Sequence, residues 1–126
     1  MPWGFECDDG WFNLLDRLCA SLTLLKRFSG LQVVATQVKE KFGTLRFYWR
    51  LDTFPIDSTH EEQKTWFNII DALVRCAEHE SSHTCEITGE YGELYSWGGW
   101  LKTLCEAKAE ELGFVTARSL GKDDKP

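Results

Sequence analysis

The sequence predicts an α+β domain, and three observations carry the prediction. Apolar residues recur at helical spacing in two long stretches. Between these stretches the spacing changes to strict alternation around a glycine. A third, shorter helical stretch closes the chain behind further aromatic residues and glycines. The expected element order is α-ββ-α-ββ-α, an antiparallel sheet packed against helices.

The first helix is expected over residues 10–28. Asp8-Asp9-Gly10 precedes Trp11, Leu14, Leu15, Leu18, Leu22 and Leu25, which places acids at the positive end of the helix dipole. Ser29-Gly30 supplies a stop. Over residues 31–51 the pattern alternates: Val34, Val38 and Phe42 on one arm, then Leu45, Phe47, Trp49 and Leu51 on the other, with Gly43-Thr44 between them. This is a hairpin pattern. Its apolar side is expected to cover the first helix. Its other side collects Gln37, Lys39, Lys41, Thr44, Arg46, Tyr48 and Arg50. Glu40 falls on the apolar side, which calls for a bulge there or a buried acid.

Pro55 breaks the strand. Ser58 and Thr59 are both competent N-caps, with Glu61 and Glu62 three residues on, and Trp66, Ile69, Ile70, Leu73, Val74 and Ala77 continue at helical spacing to about Ser82. A smaller hairpin is expected over Thr84–Tyr95, then a turn at Trp97-Gly98-Gly99-Trp100. A short third helix through Leu101, Leu104, Cys105, Ala109 and Leu112 follows, stopped by Gly113. With 126 residues and 43% hydrophobic content, one domain over residues 4–120 with a frayed tail over 121–126 is the expected organisation.

Composition narrows the function. The opening Met1-Pro2-Trp3-Gly4-Phe5-Glu6-Cys7 has no basic, apolar leader, and no stretch has the roughly 20 apolar residues a membrane helix needs. The five cysteines, Cys7, Cys19, Cys76, Cys85 and Cys105, are odd in number, which fits reduced thiols in a cytoplasm. A net charge of −6 argues against indiscriminate DNA binding. Charge is unevenly spread, however: residues 31–50 carry four bases and one acid, whereas residues 51–126 carry fifteen acids and seven bases.

The cationic segment is the leading candidate site. Lys39, Lys41, Arg46 and Arg50 on one sheet face with Tyr48 suit a phosphate, a nucleobase or an acidic partner. Such a face is just as often merely solvated or neutralised by nearby acids. Trp97 and Trp100 serve either as binding anchors or as core plugs, and plugging is the commoner fate.

His79-Glu80-Ser81-Ser82-His83 matches H-E-x-x-H, where a metallopeptidase holds zinc and activates water. The motif falls at a helix end with no third ligand in view, so a five-residue match is a weak signal and a solvated, polar helix terminus with two histidines near the negative dipole end accounts for it better. A different set, Cys76, His79, His83 and Cys85, has metal-competent atoms close in sequence; otherwise the two cysteines are ordinary thiols. No nucleophile–base set and no phosphate-binding glycine loop is present, so no catalytic residue and no cofactor is expected.

Four segments carry a resemblance: Gly4-Phe5-Glu6-Cys7…Gly10-Trp11-Phe12; Gln37 to Tyr48 with its Lys39-Glu40-Lys41-Phe42-Gly43 run; Thr84-Cys85-Glu86; and Gly98-Gly99-Trp100-Leu101-Lys102-Thr103-Leu104-Cys105. They resemble a family of small phage and prophage proteins that look as though they hold a zinc knuckle, Cys-x-x-Cys followed by Cys-x-x-His. Here Cys85 and Cys105 match the first member of each pair, while Thr88 and Lys108 stand at the second. The resemblance therefore implies a degenerate knuckle without its metal, held by hydrogen bonds and aromatic packing. Together with small size and acidity it implies a non-enzymatic, phage-encoded protein of the bacterial cytoplasm. Such a protein would bind and inhibit a host protein or defence system, in the manner of an anti-CRISPR. The alternative is a nucleotide- or nucleic-acid-binding module descended from the knuckle, with the metallopeptidase third.

Overall fold

The computed structural model describes residues 4–54 and 57–117; the expected break at Pro55 and the tail over 121–126 lie outside them. The elements in chain order are β1 (Phe5–Glu6), a 3-10 turn (Asp9–Trp11), α1 (Phe12–Ser29), β2 (Gln32–Lys41), β3 (Thr44–Thr53) and α2 (His60–Ser81), then β4 (Glu93–Trp97), β5 (Trp100–Leu104), α3 (Glu106–Leu112) and β6 (Val115–Thr116). The chain is α+β, but the strands form two sheets rather than one. Their orders are β1-β2-β3 and β5-β4-β6, and β1 joins β2 in parallel.

The larger core lies between the first sheet and the two long helices. Leu14, Leu15, Leu18 and Leu22 of α1 meet Val38, Leu45 and Phe47 of the hairpin and Ile70, Val74 and Ala77 of α2. Each fully buried aliphatic side chain contributes about 1.5–3 kcal/mol. Helix α1 ends at Gly30, whose φ of 77° closes the left-handed cap that its missing Cβ permits. At the start of α2, Thr59 accepts the Glu62 N–H at 3.1 Å, so Thr59, not Ser58, is the cap.

Three sequence expectations change here. Residues 84–92 are turns, joined only by an isolated bridge between Thr84 and Tyr91, so the hairpin expected over Thr84–Tyr95 does not form there. The second hairpin is β4–β5, closed by Gly98-Gly99 at the expected turn, with Trp97 opposite Trp100. Leu101 and Leu104 consequently lie in a strand, and the last helix begins only at Glu106.

The smaller core gathers Cys85, Tyr95, Leu104, Cys105 and Ala109, with Ile87 and Phe114 against it. The N-terminal segment staples it to the larger core. Gly10 N–H donates to Glu86 O at 2.7 Å, and Trp11 Nε1–H donates to Thr84 O at 2.9 Å. The approach is so close that a Cβ on Gly10 would stand 2.2 Å from Cys85 O. Glu86, buried, takes Asp8 N–H at 3.2 Å and the Lys102 ammonium at 3.2 Å. Burial pushes its carboxyl above the usual range, only partly offset by Lys102 and Asp8 N–H, while Lys102 is raised because Glu86, Asp8 and Glu40 outweigh its own burial.

Candidate binding face

The β2–β3 hairpin turns through Phe42 and Gly43, one residue earlier than the spacing suggested. Both have positive φ, 54° and 86°, the pattern of a two-residue turn that matches strand twist. The tip is pinned. Gly43 N–H donates to Glu40 at 2.7 Å, and Gly43 O accepts the Thr103 hydroxyl at 2.7 Å. A Cβ at Gly43 would meet Leu94 Cδ1 at 2.6 Å. Phe42, expected on the apolar side, is instead 66% exposed at the tip, with Lys41 Nζ 5.6 Å from its ring centre.

Cross-strand partners share a face. The register pairs Gln37 with Tyr48, Lys39 with Arg46 and Lys41 with Thr44, and pairs Val34 with Arg50. Lys39, Lys41, Arg46, Tyr48 and Arg50 therefore lie on one side of the ribbon, opposite the buried Val38, Leu45 and Phe47. Glu40, paired with Leu45, sits on the core side and spends its carboxylate on Gly43. The register is irregular at two places, between Gln32 and Val33 and at Thr36, and not at Glu40. The extra residue at Thr36 reverses the parity beyond it, which moves Val34 to the cationic side and brings Val33 and Ala35 to the core.

Among the described residues, Lys39, Lys41 and Arg46 have no carboxylate within ion-pair distance. Arg46 is oriented by Thr44 Oγ1 at 2.8 Å and by Leu45 O at 3.3 Å. Arg50 pairs with Asp52 at 2.8 Å, but both are exposed. Such a surface pair is worth about 0–1 kcal/mol, so an incoming carboxylate can compete for it. Glu6 is the register partner of Lys39 where β1 joins β2.

Trp97 and Trp100 do not plug the core. They are 57% and 69% exposed at the end of the β4–β5 hairpin, with Trp97 tilted against Phe114 at 6.4 Å. They lie on the second sheet and are not part of the cationic ribbon.

The H-E-x-x-H residues stand at the α2 terminus. The His79 and His83 rings meet edge-on at 5.2 Å, and His83 stacks over Tyr91. Glu80, the would-be base, is held by Arg17. Cys76 is exposed on α2, whereas Cys85 is buried in the smaller core. Among the described residues no three His, Cys, Asp or Glu side chains converge as metal ligands, so neither the H-E-x-x-H set nor Cys76, His79, His83 and Cys85 is assembled. The nearby hydroxyls are also engaged. Ser81 donates to Glu78 O and accepts Leu45 N–H, and Ser82 donates to His79 O at 2.6 Å.

Cys85 and Cys105 do come together. Thr88 N–H points at Cys85 Sγ at 3.4 Å, and the Thr88 hydroxyl reaches Cys105 Sγ at 3.7 Å. Burial raises the Cys85 thiol, but the Thr88 hydroxyl and the N–H groups of Thr88, Cys105 and Ile87 outweigh it and leave the pKa lowered. Lys108 pairs with Glu111 at 2.9 Å. Two thiols, a hydroxyl and an ammonium do not fit tetrahedral zinc, which takes thiolate, imidazole or carboxylate donors, whereas an ammonium has no lone pair to give. Burial, and then Glu86, Asp8 and Asp9, push the Cys7 thiol up to about 11, which disfavours its thiolate.

Sequence reasoning placed Phe42 on the apolar side and missed its exposure, and it did not foresee Phe67 packing on Trp49 beside the cationic face. The first needed the turn type. The second needed the position of α2, which periodicity alone does not give. No helix among the described residues is long and apolar enough to cross a membrane. No protein-family model, no curated protein and no solved structure matches the chain.

Proposed function

We propose that the chain is a non-enzymatic binding protein whose β2–β3 ribbon takes an acidic surface of a partner protein. One observation carries the reading. Lys39, Lys41, Arg46 and Arg50 share one face of the ribbon with Tyr48, and the first three are without a carboxylate partner among the described residues. In a chain of net charge −6 this concentration of positive charge steers an acidic partner to one face while the rest of the surface repels it. The resemblance to phage and prophage proteins supports a bacterial host protein, including a component of a defence system, as the partner that is inhibited. It also supports the host cytoplasm as the setting. The Cys85–Thr88–Cys105–Lys108 group supports a zinc knuckle that has lost its metal and keeps its shape through hydrogen bonds to sulfur.

A second reading is a nucleotide or single-stranded nucleic-acid module. The exposed Tyr48 ring on the same face as Arg46 and Arg50 favours it, since bases stack on such rings. Cross-linking capture from a bacterial lysate tests both, with wild type compared against Lys39→Gln/Lys41→Gln/Arg46→Gln. A protein captured by wild type at low salt and lost by the variant supports the first reading, and nuclease-sensitive capture supports the second. Capture that is equal for the two chains overturns both.

A further inference from the structure

Strand β3 is the outer strand of its sheet. Its outward N–H groups at Leu45 and Phe47 are taken by α2: Ser81 Oγ accepts the first at 2.9 Å and Glu78 Oε2 the second at 3.0 Å. Outward and inward N–H groups alternate along a strand, so those of Trp49 and Leu51 continue the same row. No side chain among the described residues accepts from either. A groove of about 530 Å3 runs beside this edge, with Arg46, Tyr48, Trp49, Phe67 and Arg75 on its walls. Its acids are occupied, Asp71 by Arg75 at 3.4 Å and Glu78 by Phe47 N–H. The Trp49 and Phe67 rings pack at 4.8 Å on the side opposite Arg46, Tyr48 and Arg50.

The geometry points to a specific form of partner: an extended segment of alternating acidic and apolar residues that adds to the edge of β3 as a further strand. This inference rests on the reading of the cationic face given above and names what that face takes. Side chains of an added strand point alternately to the two faces of the sheet. One set then meets Arg46, Arg50 and the lysines beyond them, and the other set meets Trp49 and Phe67. Main-chain hydrogen bonds to Trp49 and Leu51 supply affinity, and the two unlike faces supply register.

The test is an NMR titration of the intact, isotope-labelled chain with a short soluble peptide alternating Glu and Val. Two analogues accompany it, N-methylated on alternate sets of nitrogens. The inference expects the Trp49 and Leu51 amides to shift and to gain exchange protection. One analogue loses at least about tenfold in affinity and the other keeps it, because only one set of nitrogens faces the edge. Lys39→Gln/Lys41→Gln/Arg46→Gln also weakens the parent peptide by about tenfold. Equal affinity of both analogues, with shifts confined to the cationic residues, overturns the added strand and leaves the face reading standing. Binding that the triple variant does not weaken overturns the face reading itself. A peptide that does not bind, or a single-stranded oligonucleotide that shifts these residues where the peptide does not, overturns the inference.

Discussion

Residues 5–53 with α2 and residues 84–116 are built on different principles. The first region buries a dozen hydrophobic side chains on long, periodic elements. The second buries five, two of them cysteines, and orders its chain through glycines, thiols and a buried carboxylate. The small core contributes too little apolar area to hold turns by burial alone. Specific polar contacts therefore decide its shape, and they tie it to the larger core through Gly10, Trp11 and Glu86.

The largest expected effect breaks that tie. Trp11→Ala removes a fully buried ring and orphans Thr84 O. It should cost about 3–5 kcal/mol in denaturant unfolding and disconnect the two regions into separate transitions. A single transition with less than about 1 kcal/mol lost would contradict the staple.

Next is Lys102→Ala, which leaves Glu86 buried without its ammonium and should cost roughly 3 kcal/mol at neutral pH. The sign of its pH dependence follows from Glu86. Its folded pKa is raised above the unfolded value, so the charged form penalises folding at neutral pH, and the penalty falls as pH drops through the folded pKa. The gap between variant and wild type in thermal melts should therefore narrow on acidification through the raised carboxyl range. A gap that widens would show that Glu86 is not the group left unpaired.

A sharper comparison restores what the small region lacks. Thr88→Cys/Lys108→His supplies two further donors beside Cys85 and Cys105. The variant should take up one tetrahedral zinc or cobalt and gain stability with added metal, whereas wild type should not. Cobalt spectra without thiolate charge-transfer bands in the variant would refute the knuckle reading.

The smallest effect belongs to the larger region. Phe42 holds φ 54° at an exposed turn, a conformation Asn adopts more readily. Phe42→Asn should raise stability by about 0.5–1 kcal/mol, read by denaturant midpoint.

The same contrast explains what was legible in the sequence. The helices of the larger region announce themselves by leucines and a cap, and the polar side of the hairpin was readable because alternation survives from Gln37 to Arg50 apart from the turn. Val34 was misplaced because the extra residue at Thr36 carries no mark in composition. In the smaller region Leu101, Leu104 and Cys105 match a helical spacing yet belong to a strand and a cap, since a few apolar residues fit either period. Ile87 and Tyr91 between glycines suggest a hairpin, but the local pairing goes to turns around Cys85. For the candidate site, the cations and Tyr48 were legible as a pattern. The exposure of Trp97 and Trp100 and the open edge at Trp49 depend on how remote elements pack.

Hydrogen exchange on the chain alone and in its captured complex addresses the binding account most directly. The account predicts new protection over residues 39–51, strongest along β3. Protection confined to the Trp97–Trp100 hairpin, with the ribbon unchanged, would contradict it.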